Sequence, residues 1–135
     1  MYDKPLKWYK QKAKEAFQLY VRLRDADKKG LCRCCTCHTI VHYKECDGGH
    51  FIRAHNMAVC FDERNVHAQC KQCNYYAGGQ WERYIIFMQN KYGQKVIDEL
   101  NTFRGVTVRR SKADYMYIIQ TNRKKIKALQ EEKGL

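Results

Sequence analysis

The stretch CRCCTCH, residues 32–38, contains two overlapping Cys-x-x-Cys pairs, Cys32/Cys35 and Cys34/Cys37. Downstream, CKQCN (70–74) contributes a third pair, Cys70/Cys73. Two such pairs wrap one Zn²⁺ ion tetrahedrally through four thiolates at about 2.3 Å, and four protein thiolates leave no open position for chemistry. The spacing therefore predicts a structural zinc ion held by the downstream pair and one of the two upstream pairs.

The segment between the cysteine pairs explains why a metal is expected. The 32 residues between Cys37 and Cys70 are too poor in apolar side chains to build a core, so zinc binding would supply folding free energy there. All eight cysteines lie between positions 32 and 73, and reduced cytosolic thiols in this spacing favour metal over disulfides. The alternative is that the cysteines are free, buried thiols.

The remaining composition indicates a soluble, cytoplasmic protein with no membrane partner. The longest apolar run, YIIFM (84–88), is far shorter than the roughly 20 residues of a membrane span. The first residues, MYDKPLKWYKQK, lack the apolar region of a signal peptide. A chain of 135 residues is expected to form one folded unit with a modest core.

The net charge of +12 lies outside the cysteine-rich middle. Residues 1–31 carry nine Lys/Arg against four acids, residues 32–103 eight against seven, and residues 104–135 nine against three. Lys and Arg replace the counterions of phosphates, so this distribution predicts a nucleic-acid partner. The alternative is that the basic helices are merely solvated.

The pattern predicts an α+β protein in three parts. An N-terminal basic helix occupies residues 1–30, a zinc-bound core residues 31–80, and basic C-terminal helices residues 81–135, for DNA binding or dimerisation. Pro5 suits a first helical turn and Gly30 a stop, which predicts a helix over 6–28.

Inside the core, two strands are expected at TIVHYKE (39–45) and HFIRA (50–54), joined around Asp47-Gly48-Gly49. Further on, an apolar stripe from Trp81 is interrupted at residues 92–94, which predicts two helices there. Ser111, with Asp114 three residues later, predicts the start of a last helix.

Three polar residues stand out between and after the cysteine pairs. A zinc ion would fold the intervening segment back and bring Asp47 towards Asn74, whose oxygens suit Mg²⁺ or Mn²⁺. A neutral His50 beside such an ion would take a proton from water, as in one-metal hydrolysis of a phosphodiester. The alternative is that Asp47 caps a turn and His50 is an ordinary core histidine.

The runs CCTCHTIVHYKECDGGHFIRAHN (34–56) and FDERNVHAQCKQCNYYAGGQWERY (61–84) resemble the phage recombination nucleases of the NinG (Rap) family. More distantly, the pattern is similar to the HNH and endonuclease VII group, which shares a ββα-metal fold. The resemblance covers roughly residues 7–100. It implies a small zinc-stapled ββα-metal core flanked by N- and C-terminal α-helices.

The resemblance also implies roles for individual residues. The structural zinc ligands would be Cys34, Cys37, Cys70 and Cys73. His50 would be the general base, Asn65 would orient it, and Asn74 would bind the catalytic Mg²⁺ or Mn²⁺.

Asp47 departs from the pattern, because Gly49 rather than an aspartate directly precedes His50. On a regular strand Asp47 and His50 point to opposite faces, so a bulge at the Gly-Gly pair would be needed to re-aim one of them. His67 is the alternative to Asp47 as a ligand, or a supporting residue of the metal site.

The function implied is metal-dependent, structure-specific hydrolysis of branched recombination intermediates such as Holliday junctions. A homodimer built through the first or last long helix suits a symmetric junction. The residues expected to contact DNA phosphates are Arg53, Arg64, Arg109, Arg110, Arg123, Lys124, Lys125 and Lys127. The alternatives are a general HNH nicking or linear-duplex endonuclease, a zinc-stapled DNA-binding module without chemistry, and a thiol redox protein.

Overall fold

The computed structural model describes residues 4–135, so residues 1–3 of the predicted N-terminal segment lie outside the described residues. Residues 4–135 form an α+β fold with four α-helices and two separate two-stranded antiparallel sheets. The helices are α1 Leu6–Asp25, α2 Trp81–Tyr92, α3 Gln94–Asn101 and α4 Lys112–Lys133. The strands are β1 Leu31–Arg33, β2 Ile40–His42, β3 Cys46–His50 and β4 Val66–Cys70.

The predicted strand pairing is wrong. β2 pairs with β1, and the Asp47-Gly48-Gly49 segment, expected to be a turn, is the middle of β3 and pairs with β4. Of the predicted strand 50–54, only His50 lies in a strand, as the last residue of β3. Residues 51–54 belong to the irregular loop that follows. The β3–β4 register is continuous from Cys46↔Cys70 to His50↔Val66, so the bulge expected at the glycines is absent from this ladder.

The two glycines permit close packing instead of a turn. A Cβ on Gly49 would lie 2.0 Å from Oε1 of Gln69, and one on Gly48 would lie 2.9 Å from Oε1 of Gln18. No side chain is tolerated at such distances without displacing its neighbour. The Gly-Gly pair therefore marks a strand against which other side chains pack closely.

Helix α1 runs across the β3–β4 sheet. Its side chains form hydrogen bonds with backbone groups on both outer edges of the sheet. The Gln18 amide accepts from the Gly48 N–H at 2.7 Å and donates to the Gly48 carbonyl at 2.8 Å. Seven residues later, and so on the same helix face, Asp25 accepts from the Ala68 N–H at 2.8 Å. Buried backbone groups require such partners, so these two side chains position α1 on the sheet.

The other face of α1 packs against α4. Tyr9 and Ala13 form a buried cluster with Tyr115 and Ile119. At the end of α4, the Lys133 ammonium donates to three carbonyls at the C-terminus of α1: Leu23 at 2.7 Å, Arg24 at 3.0 Å and Ala26 at 2.6 Å. A cation at a helix C-terminus satisfies carbonyls that lack intrahelical partners and opposes the helix dipole.

The predicted helices are confirmed, with small differences at their ends. α1 stops at Asp25 rather than at residue 28, because Asp27 accepts hydrogen bonds from the backbone of Lys29 and Leu31 in a turn. Ser111 and Asp114 form the expected capping box of α4. None of the helices within residues 4–135 combines the length and the hydrophobicity that a membrane span needs.

Helix α2 packs on the side of the β3–β4 sheet away from α1, where it contacts the buried histidine His67 of β4. His67 lies between two tyrosine hydroxyls, with Nδ1 3.2 Å from Tyr84 and Nε2 2.7 Å from Tyr92. Burial lowers the pKa of His67 to about 3. The imidazole is therefore neutral in the folded chain at neutral pH.

We expect the free energy of unfolding to fall by about 2 kcal/mol when Gln18 is replaced by alanine, since two buried backbone groups of Gly48 lose their partners. Gln11→Ala, on the exposed side of the same helix, is the matched control and should change it by less than about 0.5 kcal/mol. Urea denaturation measures both. Equal stabilities of the two variants would contradict the role assigned to Gln18.

We also expect stability to depend on the protonation of His67. Its pKa is about 3 in the folded chain and about 6.5 when unfolded, so the unfolded state binds more protons and stability falls as the pH drops below 6.5. Between pH 7.5 and 5.5 the loss from this residue is about 1.4 kcal/mol.

Urea denaturation of the wild type and of His67→Gln across this pH range checks the prediction. The variant should lose this part of the pH dependence, whereas His55→Gln, at an exposed position, should retain it. Identical pH profiles for the wild type and His67→Gln would contradict the prediction.

Candidate functional site

Four cysteine thiols meet at one end of the β3–β4 sheet. The sulfurs of Cys34, Cys37, Cys70 and Cys73 all lie within 4.8 Å of one another, with Cys37 and Cys70 3.6 Å apart. Tetrahedral zinc with bonds of about 2.3 Å requires sulfurs about 3.8 Å apart. The cluster therefore suits a metal ion such as zinc.

The local structure explains how the four thiols converge. Cys34 and Cys37 lie in the turn between β1 and β2, which closes through hydrogen bonds from the Cys34 N–H to Thr39 at 2.9 Å and from the His38 N–H to Cys34 at 3.0 Å. Cys70 ends β4, and Cys73 lies in the π-helical turn Gln72–Tyr76 that follows. One thiol pair thus comes from each sheet, and a metal would join the two sheets.

The alternative upstream pair does not take part. Cys32 lies on the buried face of β1 and donates to the Arg22 carbonyl at 3.3 Å, while Cys35 packs in the core beside Val59 and Met88. Cys46 and Cys60 are also buried, free thiols. The overlapping motif is therefore resolved by position: Cys32 lies within β1 against α1, whereas Cys34 and Cys37 lie in the following turn, whose thiols meet those of Cys70 and Cys73.

A polar cleft of about 380 Å³ opens along the outer edge of β3. It brings together three of the predicted site residues, Asp47, His50 and Asn74. Asp47 and His50 meet there without a bulge, because a cleft along the edge of a strand is bordered by both of its faces. Its remaining lining residues are Gln18, Gly48, Arg53 and Ala54.

The Asp47 carboxylate is held by two donors. One oxygen accepts from Asn74 Nδ2 at 3.0 Å, and the other accepts from the Lys71 ammonium at 2.9 Å. Burial acts to raise the pKa of Asp47, but the hydrogen bonds from Lys71 and Asn74 outweigh it and hold the pKa below its usual value. The cleft therefore contains a carboxylate, with a carboxamide and a cation as immediate neighbours.

His50 faces the cleft as a neutral base. Its Nε2 lies 3.0 Å from the Cys60 carbonyl, and because a carbonyl only accepts, Nε2 carries the proton. Nδ1 is then an unprotonated acceptor. Burial, assisted by the positive charge of Lys14, lowers the pKa of His50, so the ring stays neutral at pH 7.

Asn65 acts on this site through the loop rather than through a direct bond to His50. Its side chain accepts from the Ile52 N–H at 2.8 Å and donates to the carbonyls of Ile52 at 2.9 Å and Val59 at 3.1 Å. These bonds join the two ends of the loop that carries the Cys60 carbonyl. Asn65 is fully buried, so it positions the partner of His50.

His67, the other residue considered for the metal site, lies elsewhere. In the β3–β4 sheet His67 pairs with Gly49, and its ring packs against Phe87 on the α2 side of the sheet. It does not line the cleft that contains Asp47 and Asn74.

Of the eight basic residues expected to contact DNA, Arg53 alone lines the cleft. Arg64 is engaged by Asp62 at 3.0 Å and Glu99 at 2.8 Å, and Arg110 donates to the Met57 carbonyl at 2.9 Å. Lys125 pairs with Glu63 at 3.2 Å. The other four, Arg109, Arg123, Lys124 and Lys127, are exposed.

Two site residues on α1 were not identified from the sequence. Gln18 lines the cleft, and Lys14 lines an adjoining pocket of about 190 Å³ together with His50 and Cys60. Their spacing of four residues places them on one helix face. That spacing is visible in the sequence, but nothing in the sequence shows that this face meets β3.

We expect the purified chain to contain one tightly bound zinc ion, and Cys70→Ser to lose it and unfold in its middle third, because the metal joins the two sheets. Cys60→Ala, at a buried thiol outside the cluster, is the control and should retain the zinc. Metal analysis and circular dichroism after chelation measure both. A metal-free protein that is fully folded would contradict the zinc assignment.

Comparison with known proteins places the chain in one phage family. The family model described as Bacteriophage Lambda NinG protein matches residues 2–132. The protein ninG of Escherichia phage 933W is 32% identical over 100 residues, which cover 73% of this chain and 47% of that protein. The ninG proteins of Escherichia phage lambda and Salmonella phage P22 are each 30% identical, with the same coverage.

The chain spans about half the length of the curated relatives it matches. No solved structure matches it. Because the family model covers nearly the whole chain, from residue 2 to residue 132, the protein belongs to the NinG family of phage proteins.

Proposed function

We propose that this protein is a metal-dependent endonuclease that hydrolyses phosphodiester bonds in branched DNA, such as four-way junctions. The observation that carries the proposal is the convergence of Asp47, His50 and Asn74 on one cleft. In one-metal phosphodiester hydrolysis, a carboxylate and a carboxamide can hold the divalent cation and a neutral imidazole can take the proton of the attacking water. The resemblance to the HNH and endonuclease VII group supports the same assignment.

The side-chain oxygens of Asp47 and Asn74 in the cleft suit a divalent cation. Asp47 supplies carboxylate oxygen, and a half-turn of the Asn74 amide would present its oxygen in place of the Nδ2 that now lies 3.0 Å from Asp47. Hard oxygen ligands of this kind select Mg²⁺ or Mn²⁺. When bound, such an ion would neutralise charge on the phosphate and its leaving oxygen.

His50 would serve as the general base. Its Nδ1 accepts a proton from the water that attacks phosphorus, and a new P–O bond forms. The bond from phosphorus to the leaving oxygen breaks, and the leaving oxygen departs with the electron pair and takes a proton from solvent water. The Cys60 carbonyl stabilises the resulting imidazolium through Nε2–H, at 3.0 Å. Asn65 positions the loop that carries this carbonyl.

The order of elements supports a ββα-metal core. Antiparallel β3 and β4 are followed at once by the helical turn Gln72–Tyr76, which contains Asn74. In this arrangement the zinc ligands Cys70 and Cys73 lie immediately before Asn74, so a structural zinc would hold Asn74 facing β3.

The positive charge of the chain supports DNA as the substrate. Arg53 lines the cleft and Lys14 lines the adjoining pocket, and His50 lines both, so each offers a cation to a phosphate near His50. A homodimer would place two such clefts on a symmetric junction. The facing apolar sides of α1 and α4 are used within the chain, so a dimer interface would use other surfaces of these helices.

The proposal predicts Mg²⁺-dependent cutting that needs His50. Zinc-loaded protein is incubated with a labelled four-way junction or a matched linear duplex, with or without added Mg²⁺. His50→Ala should reduce the cutting rate about 10²- to 10⁴-fold, the usual contribution of a general base. His55→Ala, at an exposed histidine five residues later, should cut at the wild-type rate.

Each outcome distinguishes the alternatives. Cutting of the junction alone supports the full proposal, and equal cutting of both substrates leaves a general endonuclease. Tight binding without cutting, unchanged in His50→Ala, would contradict the enzyme assignment and leave a DNA-binding module. Absence of zinc together with reactive thiols at neutral pH would favour a redox protein.

A further inference from the structure

An exposed aromatic side chain lies next to the cleft, and neither the core nor the proposed chemistry requires it. Trp81 is 54% exposed at the start of α2. With His50 and Arg53 it lines a small recess that adjoins the cleft. An aromatic side chain that shares a recess with a few polar groups, here His50 and Arg53, is typical of a ligand site.

The chain around Trp81 is held firmly against the cleft. Arg53 donates to the Gly78 carbonyl at 2.8 Å, and Gln69 donates to the Gly79 carbonyl at 2.9 Å. Gly78, Gly79 and Gln80 all have positive φ, of 64°, 89° and 51°, which reverses the chain just before Trp81. The backbone that presents Trp81 is thus tied to Arg53, which also lines the cleft.

We propose that Trp81 stacks on an unpaired nucleobase next to the phosphate held in the cleft. The inference rests on the proposed function and names its substrate class as DNA with unstacked bases near the cut. The occupant follows from chemistry and charge: the indole offers a flat π-face, Arg53 offers a guanidinium, and the chain carries a net charge of +12. A single strand presents bases for stacking and phosphates for the cations, whereas a paired duplex hides its base faces.

A fluorescence titration tests the proposal without any cutting. The chain has two tryptophans, so Trp8→Phe leaves Trp81 as the only one. Zinc-loaded Trp8→Phe protein, with no Mg²⁺ added, is titrated with oligothymidine or with an abasic oligomer that has the same number of phosphates. We expect strong quenching by oligothymidine and little by the abasic oligomer, because only the former carries bases.

Affinities of substituted proteins provide the second measurement. Trp81→Ala should weaken oligothymidine binding about 5- to 150-fold, the range for removing one base–aromatic stack, and leave binding to the abasic oligomer unchanged. Trp81→Phe should retain most of the affinity. Tyr117→Ala is the matched control, because Tyr117 is 69% exposed on α4.

The outcomes separate this proposal from the nuclease assignment. Failure to cut any DNA would remove the nuclease proposal but leave the stacking measurements valid. Equal quenching by the two oligomers, no binding to oligothymidine, or equal effects of Trp81→Ala and Tyr117→Ala would each overturn the stacking proposal.

Discussion

One rung of the β3–β4 ladder, Gly48 opposite Ala68, connects the rest of the structure. Its outward backbone groups are satisfied by three residues from two segments: Gly48 by Gln18 of α1, the Ala68 N–H by Asp25 of α1, and the Ala68 carbonyl by the Cys35 N–H at 3.0 Å. Cys35 belongs to the cysteine-bearing turn. Helix α1 and this turn are therefore oriented by the same pair of residues, since buried backbone groups must find partners.

This constraint also places the candidate site. The strand that Gln18 holds carries Asp47 and His50, and the strand that Asp25 holds ends at Cys70, just before Asn74. Three polar side chains from distant parts of the sequence thus line one cleft. The absence of a Cβ at Gly48 and Gly49 is what allows Gln18 and Gln69 to approach so closely.

The two histidines of the β3–β4 sheet, His50 and His67, have different surroundings. His50 keeps one nitrogen on the Cys60 carbonyl and faces the cleft, whereas His67 uses both nitrogens on tyrosine hydroxyls inside the core. Burial lowers the pKa of both rings. Of the two, only His50 lines the cleft, and the Cys60 carbonyl engages its Nε2 and not its Nδ1, which suits the general base proposed above.

The sequence by itself determined the helices, the α+β class and the thiol pairs suited to metal, because these depend on local periodicity, capping and spacing. Ser111 with Asp114 and the cysteine pairs are short-range signals of this kind. It also pointed to Asp47, His50 and Asn74 as one group, through the expected folding back of the chain and a family resemblance. No pattern in the sequence indicated that Gln18 and Lys14 of α1 lie near His50, or that His67 lies on the other side of the sheet.

Only the tertiary structure decided the strand pairing and the final composition of the cleft. The Gly-Gly pair has the local sequence of a turn, but in the folded chain it lies at the centre of β3. There Gln18 and Gln69 pack so closely against it that a side chain would not fit. Whether Asn65 bonds to His50 or to the loop, and whether Cys32 or Cys34 joins the cluster, depends on contacts between distant segments. Such contacts have no local period in the sequence, so they appear only when the chain is folded.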